Sequence, residues 1–118
     1  MDLDKVDYIF NYFGGLMTSN ESTAWRHYSS QYKIDNGNSS KESKIARLKI
    51  YYQKGWMTKD PEILKLLENG IKAFRLNTAQ RILKENKKEV VFNTCPKCNK
   101  LARTPKAKQC RFCGHDWH

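Results

Sequence analysis

The chain has 118 residues, 39% of them hydrophobic, and a formal net charge of +10. This length allows one ordinary domain, or a modest domain with a small appendage. No apolar run approaches the roughly 20 residues that a transmembrane helix requires. The acidic start at residues 1–4 lacks the basic-then-apolar order of a signal peptide. We therefore expect a cytoplasmic protein that has no membrane partner.

The positive charge is concentrated toward the C-terminus. Residues 1–38 carry a net charge of −2, residues 39–90 carry +7 and residues 91–118 carry +5. Such a distribution favours acidic partners, and nucleic acid is the first of these. The alternative interpretation is a basic surface that only keeps the protein in solution.

Helical patterns begin at the N-terminus. Leu3, Val6, Phe10 and Phe13 recur at three- and four-residue steps, which predicts a first helix that ends at the two glycines 14–15. The segment TSNE at residues 18–21 has the spacing of a capping box and predicts the start of a second helix. Turn-forming residues at 35–40 then predict a loop.

Three further helical segments are predicted after this loop. Another capping-box spacing begins at Ser39 and opens a third helix, which has an apolar face and ends at Gly55. The pair Asp60 and Pro61 predicts the start of a fourth helix. A last helical segment covers residues 71–86, and Gly70 either separates it from the fourth helix or lies inside one long helix.

The expected fold class is α+β, with two domains. A small all-helical bundle of four to five helices covers residues 1–88, and a second domain covers residues 89–118. Residues 89–94, with the sequence EVVFNT, predict a strand at the start of the second domain. The segment that follows is too short to offset a chain entropy of about 1–2 kcal/mol per residue without a cross-link.

Four cysteines supply such a cross-link. Two residues separate Cys95 from Cys98 and Cys110 from Cys113, and 11 residues lie between the pairs. Two turns of this kind place four thiolates around one tetrahedral ion. Because thiolate sulfur is soft, zinc or iron is favoured over magnesium or calcium. We therefore expect one structural zinc ion, with disulfides or a redox CxxC motif as the alternatives.

The motifs Cys-Pro-x-Cys and Cys-x-x-Cys-Gly resemble those of compact, rubredoxin-like zinc ribbons, over roughly residues 90–117. The resemblance implies two metal-binding turns at the ends of short β-hairpins. It also implies that Cys95, Cys98, Cys110 and Cys113 bind one structural zinc ion. Asn99 stands where this family usually has glycine. Helices followed by such a module are also similar to small bacterial proteins, a similarity that implies no function.

Basic residues alternate with Leu101, Phe112 and Trp117 around the cysteines. Cations contact phosphates and aromatic rings stack on exposed bases, so nucleic acid, either RNA or DNA, is the predicted partner. The predicted contact residues are Lys97, Lys100, Arg103, Lys106, Lys108 and Arg111. Basic residues of the predicted helices extend this surface: Lys41, Lys44, Arg47, Lys49, Lys65, Lys72, Arg75 and Arg81. The alternative is that Phe112 and Trp117 cover the small core of the second domain.

Nothing in the sequence indicates an enzyme. A nucleophile elbow, a phosphate-binding loop and a carboxylate pair with defined roles are all absent. A complete set of four cysteine ligands leaves no open position for catalysis at the metal. We therefore expect a non-enzymatic binding protein without a small-molecule substrate. The alternative is a protein–protein adaptor whose zinc ribbon is a docking element.

Overall fold

The computed structural model describes all 118 residues and is predominantly helical, with 54% of residues in helices. The helices are α1 (Leu3–Phe13), α2 (Ser19–Asp35), α3 (Lys41–Gln53), α4 (Pro61–Lys65) and α5 (Ile71–Glu85), and a 3₁₀ helix (Gly14–Leu16) follows α1. The predicted helices are therefore confirmed. Gly70, with a φ of 92°, separates α4 from α5. All of the helices fall short of what crossing a membrane requires in length and apolar content.

The chain forms two compact units. The central unit is residues 17–74 and contains α2, α3, α4 and the first turn of α5. The terminal unit combines residues 1–16 with residues 75–118. It therefore contains α1, the rest of α5 and the C-terminal segment that carries the cysteines. This division differs from the sequence-based boundary at residue 88.

Side chains cap the start of several helices. The capping box at the start of α2 is confirmed, because Thr18 Oγ1 accepts from the Glu21 amide at 3.1 Å and Glu21 Oε1 accepts from the Thr18 amide at 2.8 Å. Asp60 caps α4, as predicted. At α3 the prediction is wrong by one residue, since Ser40 is the cap and its hydroxyl accepts from the Ser43 amide.

The core of the central unit is built mainly from residues outside α3. Ile34, Met57 and Phe74 are each 3% exposed or less, and Ala24 is fully buried. No residue of α3 is buried, and Ile45 on its predicted apolar face is 58% exposed. Met57, in the segment after α3, supplies the core contact that the helix itself does not.

The core of the terminal unit joins helices to the C-terminal segment. Ile9 of α1 and Ile82 of α5 are fully buried, and Val90 is 4% exposed. Leu101 and Ala102, between the two cysteine pairs, are also buried. The C-terminal segment is therefore part of this core.

The predicted zinc ribbon of short β-hairpins is wrong, as is the strand over residues 89–94. The structure has no sheet, and only two isolated antiparallel bridges occur: Thr94 with Leu101 and Gln109 with Asp116. The physical reason lies in α1. The Tyr8 hydroxyl donates to the carbonyl of Val91 at 3.3 Å and accepts from the amide of Asn93 at 3.2 Å. These backbone groups are therefore occupied by a side chain instead of a neighbouring strand.

Candidate metal centre and its basic surface

The four cysteines form one cluster in the terminal unit. All four Sγ atoms lie within 4.8 Å of one another. The Sγ atoms of Cys95 and Cys113 are 3.7 Å apart, and those of Cys98 and Cys110 are 3.5 Å apart. Sulfur atoms that share a tetrahedral zinc ion at about 2.3 Å are separated by about 3.8 Å, whereas a disulfide requires about 2.05 Å. The cluster therefore has the dimensions of a site for one metal ion.

The two cysteine pairs have the same backbone conformation. Cys95 accepts from the amide of Asn99 at 2.9 Å and donates to the carbonyl of Lys100 at 2.9 Å. Fifteen residues later, Cys110 accepts from Gly114 at 3.1 Å and donates to His115 at 2.8 Å. The isolated bridges are related by the same shift of fifteen residues. The cysteine pairs are therefore two copies of one turn, which we call the first and second knuckles (residues 93–102 and 108–117).

Backbone amides point at one sulfur atom in each knuckle. Cys95 Sγ accepts from the amides of Lys97 and Cys98 at 3.4 and 3.5 Å. Cys110 Sγ accepts from the amides of Phe112 and Cys113 at 3.3 and 3.4 Å. Such hydrogen bonds stabilise a thiolate and fix the direction of its lone pairs. The local chain thus positions both sulfur atoms as anionic ligands.

Backbone amides, burial and neighbouring sulfur atoms shift the pKa values of Cys98 and Cys110 in opposite directions. The amide of Cys113 lowers the pKa of Cys110 to about 6, and the amide of Phe112 contributes in the same direction. The amide of Lys100 also lowers the pKa of Cys98, but desolvation and the neighbouring sulfur atoms outweigh it and raise that pKa to about 11. Four adjacent thiolates repel one another, so a full set of anionic ligands needs a bound cation.

The knuckles are anchored to α1 and to each other. Besides donating its amide to Tyr8, Asn93 accepts from the amide of Ala102 at 2.7 Å through its carbonyl. The Asn93 side-chain amide donates to the carbonyls of Thr104 and Ala107, both at 2.9 Å. Asn93 therefore ties the first knuckle to the loop that leads into the second.

All six basic residues predicted to contact nucleic acid are exposed. The structure brings three of them together, because Arg103, Lys108 and Arg111 line one surface hollow of about 380 Å³. We call it the cationic hollow; its other lining residues are Thr104, Ala107, Gln109, Cys110 and His118. No Asp or Glu residue lines it. Lys97, Lys100 and Lys106 lie outside this hollow.

Phe112 is an exposed aromatic ring beside the cationic hollow. Its exposed fraction is 50%, so it does not serve as a core residue. The Lys100 Nζ and the Arg111 Cζ atoms each lie 4.9 Å from the centre of the ring. Arg111 thus connects the ring with the cationic hollow. A cation placed against a ring is a common arrangement where a protein binds unpaired bases.

Acidic residues at the start of α1 border this basic surface on one side. Arg111 Nη2 lies 3.8 Å from Asp4 Oδ2. A second hollow next to Phe112 is lined by Asp2 and Asp4 as well as by Lys5 and Lys100. Two basic residues assigned to the surface, Arg75 and Arg81, form ion pairs within the terminal unit, with Asp7 and Glu85. Of the three basic residues that line the cationic hollow, Arg103 and Lys108 therefore form no ion pair with a carboxylate, whereas Arg111 does.

Sequence reasoning missed Tyr8 and the repeat of the two knuckles. Tyr8 is 2% exposed and organises the segment before the first cysteine, although nothing in the local pattern around it indicates a distant hydrogen-bond partner. The repeat had a visible signal, since Cys-x-x-Cys followed by Asn99 or Gly114 recurs after fifteen residues. Comparison with other proteins gives no family: no family model, curated protein or solved structure matches the chain.

Proposed function

We propose that this protein is a non-enzymatic binding protein, stabilised by one structural zinc ion, that contacts single-stranded RNA or DNA through its second knuckle. The position of Arg111 carries the proposal. Its guanidinium lies against the exposed Phe112 ring and also lines the cationic hollow with Arg103 and Lys108. Phosphates would bind in this hollow while an unpaired base stacks on Phe112.

Zinc is the metal that best fits the donor set. Four sulfur atoms at tetrahedral separations favour zinc or iron, and a complete set of protein ligands is typical of a structural zinc site. The ion would compensate the negative charge of Cys95, Cys98, Cys110 and Cys113 and hold the two knuckles together. A reducing compartment such as the cytoplasm is part of this proposal, because it keeps the thiols free of disulfides.

Single strands are favoured over duplexes by the exposure of Phe112. A ring stacks only on a base whose face is open, and such bases occur in single strands, loops and bulges. Duplex nucleic acid would contact the cations alone. We therefore expect tighter binding to a single strand than to a duplex of the same length.

Fluorescence anisotropy with a labelled oligouridylate, an oligothymidylate and a duplex, measured over a range of salt concentrations, tests this proposal. Replacing Phe112 with Ala should weaken single-strand binding by about fivefold to a hundredfold and leave duplex binding nearly unchanged. Lys108→Gln should reduce the magnitude of the salt slope for single strands by about 0.7. Lys97→Gln, an equal charge change outside the cationic hollow, is the matched control.

The adaptor hypothesis gives a different result. A protein that docks only on another protein would bind neither oligonucleotide, or would bind both weakly and without sensitivity to Phe112→Ala. Equal effects of Lys97→Gln and Lys108→Gln would show that only the overall charge matters. Either result contradicts the proposed surface.

A further inference from the structure

A groove on the central unit has the composition of a ligand site, and it shares no residue with the metal-binding segment. Its volume is about 440 Å³, within the range of about 300–1,000 Å³ that is usual for small-molecule sites. We call it the α2 groove; its lining residues are Met17, Ser22, Trp25, Arg26, Ser29, Ser30, Lys33 and Trp56.

One face of α2 forms the floor of this groove. Each residue that lines it from α2, between Ser22 and Lys33, has another lining residue three or four positions away, so they lie on one stripe of the helix. Trp56 forms a wall from the segment after α3, where its neighbour Met57 is 2% exposed and fixes that segment in the core. The groove is therefore built on ordered elements.

The aromatic residues of the groove are held in place by their neighbours. The Trp25 ring stacks on Tyr28 at 6.0 Å and on the buried Phe74 at 6.4 Å, measured between ring centres. The centre of the Trp56 ring lies 5.3 Å from the Arg26 Cζ atom and 4.7 Å from the Lys54 Nζ atom. Both indoles thus present fixed, half-buried surfaces.

The polar groups of the groove favour an anion. Arg26 and Lys33 lie two turns apart on α2, about 10 Å along the helix axis, and neither forms an ion pair with a carboxylate. No acidic residue lines the groove, and three serines add hydroxyl donors. A purely apolar ligand would make no ionic contact with these cations, and an acidic peptide would make no ring contact with the indoles.

We infer that the α2 groove binds a nucleotide, whose base stacks on Trp56 or Trp25 and whose phosphate is bound by Arg26 and Lys33. The combination of an aromatic wall with cations that have no carboxylate partner suits a planar ring that carries a phosphate. The nucleotide is either a free molecule or one unit of a single strand. The inference is independent of the proposed second-knuckle surface, because it rests on residues of the central unit alone.

Isothermal titration calorimetry with AMP tests this inference, with adenosine and inorganic phosphate as partial ligands. AMP should bind more tightly than either fragment, because each fragment uses only half of the groove. Lys33→Gln and Arg26→Gln should each weaken AMP binding by about tenfold. Lys59→Gln, which removes an exposed lysine of the same unit outside the groove, is the matched control. Trp56→Ala should weaken binding by about fivefold to a hundredfold, and Trp56→Phe by much less.

The outcomes distinguish a free nucleotide from one unit of a single strand, and binding at the α2 groove from binding at the second knuckle. AMP binding that depends on Lys33 identifies a free nucleotide; binding of an oligouridylate alone, with the same dependence, identifies a unit of a strand. AMP binding should not change in Phe112→Ala, whose loss of single-strand affinity tests the proposed function separately. The inference is overturned if inorganic phosphate binds as tightly as AMP, if neither AMP nor the oligouridylate binds, or if Lys33→Gln and Lys59→Gln have the same effect on binding.

Discussion

Asn99 and Gly114 occupy equivalent left-handed positions, with φ angles of 64° and 77°, each four residues after the first cysteine of its knuckle. Each donates its amide to the carbonyl of that cysteine. Asparagine is the non-glycine residue that tolerates this conformation best, because its short polar side chain makes local hydrogen bonds. The departure from glycine at residue 99 therefore leaves the turn intact.

Replacing Gly114 with Ala should weaken zinc binding. A Cβ atom at Gly114 would meet no atom within 4 Å, so the expected cost comes from the backbone conformation alone. That cost is about 1–2 kcal/mol, which corresponds to about fivefold to thirtyfold weaker binding in a chelator competition. Gly15→Ala is the matched control, because Gly15 also has open space but lacks a positive φ. Equal zinc affinities for both variants would contradict this account.

Removing the metal should unfold the knuckles and spare the helices of the central unit. The helices α2, α3 and α4 lie within residues 17–74, which contain no cysteine, so Cys110→Ser or a chelator should leave most of the far-ultraviolet circular dichroism unchanged. Amide signals of residues 93–117 should lose their dispersion in NMR spectra. Elemental analysis should find one zinc ion per wild-type chain and full occupancy in His118→Ala. Wild-type protein without metal, or with oxidised thiols after reducing purification, would refute the site.

Replacing Tyr8 with Phe should destabilise the terminal unit by about 1–3 kcal/mol. The variant retains the ring contacts but loses the hydroxyl that bonds to Val91 and Asn93, and it leaves the Asn93 amide without its acceptor. Urea unfolding measures the loss. Tyr12→Phe is the control, since that residue is 44% exposed and should change stability by less than about 0.5 kcal/mol. If Tyr8→Phe unfolds with the same free energy as the wild type, the two hydrogen bonds of the Tyr8 hydroxyl are not what holds residues 91–93 out of a strand.

Acidification should destabilise the central unit through His27. Its Nδ1 atom accepts from the amide of Thr58 at 3.0 Å, and desolvation lowers its pKa below the usual 6.5. The folded state therefore binds fewer protons than the unfolded state, so the contribution of His27 is complete above pH 6.5 and declines as the pH falls below that value.

Urea unfolding at neutral pH and at about pH 5.5 measures this effect. His27→Gln keeps a side-chain acceptor but does not titrate, so its free energy of unfolding should fall less between the two conditions than that of the wild type. Acid also protonates the cysteines of both proteins. The effect of His27 is therefore the difference between wild type and His27→Gln in how much the free energy of unfolding falls. The same decline in both would exclude His27 as the cause.

The metal cluster and most helix starts could be predicted because their signals are local. Two cysteines separated by two residues define a turn by themselves, and Thr18 and Glu21 bond to each other across three residues. The strand over residues 89–94 was predicted from equally local preferences. There the outcome depends on Tyr8, which is more than 80 residues away, so local propensity carries no information about it.

The burial of helix faces also depends on distant packing. Ile45 lies on an apolar face in the sequence pattern, yet it is 58% exposed, and Met57 fills the core instead. The α2 groove shows the same limitation, because Trp56 meets Arg26 only after the chain has turned back at α3. Periodicity identifies candidate faces, but tertiary packing decides which of them are covered.

The terminal unit is made from the two ends of the chain, and this determines when each part of the protein can fold during synthesis. The central unit is continuous in sequence, so all of its residues are translated before the cysteines. α1 emerges first but packs with residues that emerge last, so its buried face stays uncovered while the rest of the chain is made. With the proposed metal site, metal supply at the end of translation would then control the completion of a unit that begins at the N-terminus.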